Sequence, residues 1–518
     1  MTAALTTILG NDIFGQPAGR LCAIHLRDGL IVRLEPLAEV ELPALIAAAG
    51  PGLIDLRGLL ILPGLIDSHL HAIATGMQLL TGDLRHISSV NQLAAEVSAA
   101  AESGAEFVRL GGLDPSRLGS AGVDAITRQW LNELTPGRAL YIKSVEGHSA
   151  WFNALAWERV GVNAVLERLG VSDARRREMQ RAGRVWGNAY EQLTTPIYDS
   201  YSFAERKQGM ALVIERAKAV GLCGLHCLEG YGEHRRHDFE MMLELDQQGD
   251  IDLTLYCRDE TPALAGELAV PRFGGCWCVD GAIAAHSAAL AEPYFDKPEL
   301  SGELYYSDEQ LAAWIESGCA AGMQVCLHAI GERALDQALR CFEQLAPRYD
   351  LEKLRPRLDH FVMGTPELAR RAAKLGVLSS MQPAFDALWG GAEGGYSQRL
   401  GPERALRSNP LGQMIGCGLR VAGGSDSYIT PLDPLGGIRA AMNHHNEEMR
   451  VDFERAVGLF SQDAAYLAHQ EDERGRIAGG YQADFTVVRG DRTMAADAAV
   501  ALTIKGGRVV HDAAEASR

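Results

Sequence analysis

One pattern recurs along the middle of the chain: an apolar, β-branched stretch ends on a polar residue and gives way to a helical stretch. Eight such strands are legible: LLILPGLIDSHLH (59–71), GLCGLHCLE (221–229), DLTLYCRDE (252–260), GGCWCVDG (274–281), QVCLHAIG (324–331), RPRLDHFVM (355–363), GVLSSMQPA (376–384) and GLRVAGGSDS (418–427). Helical segments such as SDEQLAAWIESGCAAG (307–322) and TPELARRAAKLG (365–376) lie between most of them. Strands that alternate with helices imply a parallel sheet, because parallel neighbours need a crossover connection. Eight such units predict an α/β fold closed into a (β/α)8 TIM barrel.

The rest of the chain arranges itself around that barrel. Roughly 150 residues separate the first two strands, far more than a crossover loop requires. Residues 78–205 are therefore expected to form an inserted subdomain, a wall or lid of the active site. The barrel itself takes residues 63–77 and 206–474. Residues 1–62 read as β structure, with LCAIHLRDGLIVRLEP alternating around an Asp28-Gly29 turn. ADFTVVRGD and ALTIKGGRVVHD, within residues 475–518, read the same way. The two ends are expected to pair in one small β-sandwich.

Composition narrows the function classes. The net charge is −18 and no Lys/Arg run offers a stripe for phosphates, which argues against nucleic acid. No run of 18 apolar residues is present, so no membrane span is expected. MTAALTTILGNDIFG lacks a basic segment followed by an apolar core and does not read as a signal peptide. Ten cysteines in 518 residues are too sparse for a disulfide scaffold, and a cytoplasmic location with free thiols is expected.

The chemistry-bearing residues fall at strand ends. His69 and His71 are two apart on the first strand, so their imidazoles point to the same side and converge on one cation. His328 closes the fifth strand, His360 the sixth and Asp426 the eighth. Active sites of such barrels form at the C-terminal ends of the strands. Four imidazoles and a carboxylate suit one or two divalent ions, with Zn2+ favoured and Mn2+ or Fe2+ as alternatives.

PGLIDSHLH, HAIGERA, RLDHFV, SSMQPA, GGSDS and RGRIAGGYQADFTVV resemble the amidohydrolase superfamily, and within it amidohydrolase family 3, which includes N-substituted formamide deformylases. The resemblance also takes in GGLDPSRL (111–118), EGHSAWFNALAW (146–157) and GAIAAHSAALAEPYFD (281–296). It implies that His69 and His71 bind a first metal and that His328 and His360 bind a second. It further implies that Asp426 contacts metal and is the general base, taking a proton from the attacking water and returning it to the leaving nitrogen.

One position departs from the family pattern. Many members carry a lysine four residues before an Asp-Gly pair on the fourth strand, and its carboxylated form bridges two metals. Four residues before Asp280-Gly281 stands Cys276, and GGCWCVDG has no lysine. A thiolate carries the same charge and is a good zinc ligand, so Cys276 is the expected bridging or capping ligand, with Cys278 as the alternative by strand parity. The bland alternative is a small buried hydrophobe beside a single metal. His148, Asn153, His226, Asp114 and Gln382 are candidate substrate contacts.

The expected function is metal-dependent hydrolysis of a C–N bond in a small-molecule amide, N-acyl or N-formyl amine, or cyclic amide. Deamination, ester or lactone hydrolysis on the same barrel, and a non-catalytic ligand-binding or regulatory homologue are the alternatives. Related barrels are often dimers, so a homodimer is the assembly the resemblance suggests.

Overall fold

The computed structural model describes residues 6–102, 104–144, 149–186 and 188–516. The chain divides into two compact units, one of residues 1–72, 214–230 and 239–518, the other of residues 73–213 and 231–238.

In the first unit eight short strands run parallel: β1 (Leu65–Leu70), β2 (Leu222–Glu229), β3 (Asp252–Cys257), β4 (Arg272–Cys278), β5 (Gln324–Ala329), β6 (Arg357–His360), β7 (Ser379–Met381) and β8 (Val421–Gly423). The first six form one sheet in sequence order and the last two pair with each other. Parallel bridges join Arg357 to Leu378 and Leu70 to Ser427, so the pairing runs from β1 through β8 and back to β1. Every position of β1, β2, β6, β7 and β8 is buried, as expected of parallel strands covered on both faces. Helices follow the strands. Asp308–Ala320 begins on a Ser307 capping box completed by Gln310, and Pro366–Lys374 begins on Thr365.

Strand β4 is not regular. Gly274 has φ +114° and Gly275 φ +44°, and the pairing with β5 skips between Phe273 and Trp277. A Cβ on Gly274 would stand 2.1 Å from the Cys326 carbonyl oxygen, so only glycine fits there. The kink breaks the simple alternation of side chains at the residue that follows it, Cys276.

The chain ends meet. Strand Phe485–Arg489 pairs antiparallel with Leu60–Pro63, placing Phe485 opposite Pro63. They belong to a five-stranded sheet with Asp12–Ile13, Ala499–Lys505 and Arg508–Asp512. A second sheet holds Thr7–Gly10, Cys22–Arg27, Leu30–Pro36 and Leu53–Asp55, and one apolar core that includes Ile8, Ile24, Ile61, Phe485 and Ile504 serves both. Asp28 and Gly29 both have positive φ, the geometry of the tight hairpin expected there. The β reading of residues 1–62 overlooked the helix Leu42–Ala49, an alanine-rich stretch of high helix propensity.

The second unit is built on a five-stranded sheet whose central strand is Ala139–Ser144, with parallel and antiparallel neighbours. Leu93, Val97, Leu110, Leu131, Leu140 and Trp151 lie in its core. Among the described residues no helix is long and apolar enough to cross a membrane. All ten cysteines are free thiols.

Candidate metal centre

Each strand-end residue expected to bind metal lies in the first unit, at or just beyond the end of a parallel strand. Three donor atoms gather at the β1–β8 junction. His69 Nε2 and His71 Nε2 each stand 3.4 Å from Asp426 Oδ1. At that separation an N–H···O bond is weak, and His69 Nε2 and Asp426 Oδ1 are buried with no hydrogen-bond partner. A tetrahedral zinc bound at about 2.1 Å spaces its nitrogen and oxygen donors roughly 3.4 Å apart. The donor set and its spacing fit a divalent ion.

A second set shares His69. Its donor atom, with Cys276 Sγ and a His360 nitrogen, forms a group within 4.8 Å. Cys276 Sγ lies 3.7 Å from His360 Nε2 and 3.8 Å from His328 Nδ1, placing the thiol between two imidazoles. The rings of His360 and His328 are 4.4 Å apart. Cys278 Sγ instead approaches the backbone oxygen of Cys276, at 3.5 Å.

The backbone is strained where these side chains are presented. Cys276, His360 and Asp426 have φ of 70°, 76° and 55°. Non-glycine residues in that region cost about 1–3 kcal/mol each and concentrate at functional sites.

Neighbouring groups fix the ligands' orientation. His69 Nδ1 donates to Asp359 Oδ2 at 2.6 Å, His71 Nδ1 to the Leu228 carbonyl at 2.9 Å, and His360 Nδ1 to Gln382 Oε1 at 2.8 Å. In each case the other ring nitrogen is left to face the centre. Asp67 accepts the backbone amides of His69 and Ser425, tying β1 to the segment after β8. Asp280 accepts three amides, from Ala289, Ile330 and Gly331, and so supports the turn after β4.

The charges are unevenly placed. Burial works to raise the Asp426 pKa, but the imidazoles of His69 and His71 hold it well below the carboxylate range. Burial opposes a charge on His69, yet the Asp359 hydrogen bond and the two nearby carboxylates lift its pKa to about 9. Burial and the neighbouring His328 push His360 down to about 3, leaving it neutral and ready to donate a lone pair. A hydrogen bond with Cys278, together with burial, pushes the Cys276 thiol up. Ligation through that sulfur therefore displaces a proton.

The substrate contacts expected from sequence fare differently. Asn153 is corrected: its Oδ1 accepts from Leu140 N and Ala156 N, and its Nδ2 donates to Thr135 Oγ1 and the Arg138 carbonyl. Its amide caps the helix Ala154–Arg159 and has no bonding capacity left for a substrate. His226 is 0% exposed, beside the Arg357 guanidinium and the Tyr256 ring. Gln382 is 2% exposed and holds His360 rather than a substrate. Asp114 is half-buried in the second unit, immediately before the helix Pro115–Ala125. His148 lies outside the described residues.

Asp359 and Arg357 were not singled out from the sequence. Their signal was present in RLDH: positions 357 and 359 are two apart on β6, the same spacing that made His69 and His71 conspicuous. A cavity of about 340 Å³ bounded by Glu260, Trp277, Tyr306, Gln310, Leu311 and Trp314 contains none of the donor residues.

Comparison with known proteins agrees with this architecture. The putative amidohydrolase YtcJ of Bacillus subtilis (strain 168) is 27% identical over 485 residues, 85% of each chain. An uncharacterized metal-dependent hydrolase from Pyrococcus furiosus superposes with a TM-score of 0.76 at 24% identity, covering 94% of this chain and all of that one. A 5-methylcytosine deaminase from Klebsiella pneumoniae shares the fold at a TM-score of 0.56 and 14% identity, covering 98% of this chain and 97% of that one. The amidohydrolase family model Amidohydro_3 matches residues 52–511, and the chain belongs to that family.

Proposed function

We propose that the protein is a metal-dependent hydrolase that adds water across the C–N bond of a small-molecule amide, an N-acyl or N-formyl amine, or a cyclic amide. The observation that carries this reading is the buried, unpartnered pair His69 Nε2 and Asp426 Oδ1, 3.4 Å apart beside His71 Nε2. The scaffold reads as a (β/α)8 barrel with residues 78–205 inserted after its first strand and both chain ends folded into a β-sandwich.

In this reading His69, His71 and Asp426 hold one ion, and Cys276, His328 and His360 hold a second. A thiolate among imidazoles favours zinc. When bound, the ion supplies Lewis acidity and makes water nucleophilic near neutral pH. Asp426 receives the proton of the attacking water. Its carboxylate is ionised throughout the neutral range, and a carboxylate within reach of the attacking water can accept its proton. The same carboxyl then delivers that proton to the leaving nitrogen, so that an amine departs rather than an amide anion.

The test combines metal analysis of the purified protein with a hydrolysis screen of N-formyl amines, other N-acyl amines and cyclic amides. A stoichiometric divalent metal and turnover of at least one class are expected. Asp426→Asn should lower turnover on the order of a thousandfold with the fold intact. A metal-free protein with full activity, or an Asp426→Asn variant as active as wild type, overturns the reading.

A further inference from the structure

We infer that Asp359, gripped by Arg357, is the positioning residue that aims His69 into the proposed metal centre; the inference rests on the metal-binding reading above. His69, Arg357 and Asp359 are all 0% exposed. The His69 ring has two nitrogens, and Asp359 Oδ2 accepts a hydrogen bond from Nδ1 at 2.6 Å. That leaves Nε2 as the ring atom that can ligate a metal, giving up its proton to do so, and it is the atom that faces Asp426 Oδ1. A carboxylate behind a ligating imidazole fixes its tautomer and plane and raises its basicity.

Asp359 is itself held on all sides. Arg357 Nη2 donates to Oδ2 at 2.6 Å and Arg357 Nε to Oδ1 at 3.1 Å, a two-pronged grip that sets the plane of the carboxylate. The Ser380 amide adds a bond to Oδ1 and the Cys326 thiol one to Oδ2. Arg357 is anchored in turn by the Ser68 carbonyl at 2.9 Å and lies 4.5 Å from the centre of the Tyr256 ring. Arg357 therefore holds β1 through the Ser68 carbonyl, and Asp359 holds it through the ring of the next residue.

The two histidines of the pair are thus oriented by different means. His71 leans on a backbone carbonyl, which no substitution removes, whereas His69 leans on a side chain. His69 is also the residue common to both donor groups, so a tilt of its ring disturbs both.

The test measures zinc affinity of the full-length protein by chelator competition, with far-UV circular dichroism and Tm alongside. Asp359→Asn keeps the shape but weakens the acceptor, and it should lower affinity about 10–100-fold. Arg357→Lys keeps the charge but cannot grip both oxygens, and it should lower affinity by a smaller factor in a folded protein. It also serves as the second variant if Asp359→Asn does not fold. A purely structural ion pair would lower Tm and leave the zinc affinity unchanged, so a folded variant with wild-type affinity overturns the inference. Wild-type protein that binds no zinc overturns the metal reading as well, and the two failures are therefore distinguishable.

Discussion

At the starting ends of the parallel strands, Asp252, Arg474, Asp484 and Lys505 form a cluster of two acids and two bases. At the finishing ends stand His69, His71, Cys276, His328, His360 and Asp426. In the first cluster the charges answer one another. Lys505 Nζ lies 3.0 Å from Asp252 and 3.1 Å from Asp484, and Arg474 pairs with Asp252. The Asp484 carbonyl also accepts the amide of Gly64 at the entrance to β1, so the cluster joins the terminal sheet to the strands. In the second cluster His69 Nε2 and Asp426 Oδ1 are buried without a hydrogen-bond partner, 3.4 Å apart, and the Cys276 thiol lies between the imidazoles of His328 and His360. Opposite charges that pair in a buried cluster balance one another within the chain, whereas imidazoles, a thiol and a carboxylate gathered around a common point suit a cation from outside it.

The contrast has consequences that exchange between the two clusters. Lys505→Met leaves Asp484 and Asp252 short of a cation in a buried setting, where breaking one partner of an ion pair costs about 3–5 kcal/mol. Denaturant unfolding should show that loss while metal content per chain stays at the wild-type value. The comparison breaks if Lys505→Met sheds metal without losing stability.

Cys276→Ser is the next effect in size. Replacing a soft thiol with a hydroxyl removes a ligand from the second donor group and spares His71 and Asp426. Metal per chain should fall, or affinity for the more weakly held ion should drop about tenfold, equivalent to about 1.4 kcal/mol. Unchanged stoichiometry and affinity would reduce Cys276 to a small buried hydrophobe in the wall of the site.

Much of the fold was legible because apolar strands ending in polar residues and alternating with helices leave few alternatives, and all eight lie where the pattern placed them. The metal-competent residues were legible for the same reason: His69, His71, His328, His360 and Asp426 lie at or just past strand ends. What stayed hidden depends on saturation and on irregular backbone. A polar side chain such as Asn153 announces its chemistry but not its partners, and here four bonds inside its own unit consume it. Gln382 likewise hid its partner, the ring of His360, and His226 its place beside Arg357. The parity argument that set Cys278 beside Cys276 matches the hydrogen bond between the two thiols, whereas the Gly274-Gly275 kink and the positive φ of Cys276 left no trace in the alternation. Asp359 was within reach of the same parity argument, but next to His360 it looked like packing.

The smallest effect concerns pH and again separates the two clusters. Burial opposes the charge on Lys505, but Asp484 and Asp252 more than compensate and raise its pKa above the ordinary 10.5. A group that binds its proton more tightly when folded contributes stability that is complete below its unfolded pKa and is lost as pH rises through its folded pKa. Wild-type unfolding free energy should therefore decline above pH 10.5, at a rate that this one group limits to about 1.4 kcal/mol per pH unit. Lys505→Met, lacking the titrating group, should show a shallower decline over the same range. Equal slopes in the two proteins would mean that the paired cluster does not govern alkaline stability, and the stabilising role assigned to the starting ends of the strands would then fall.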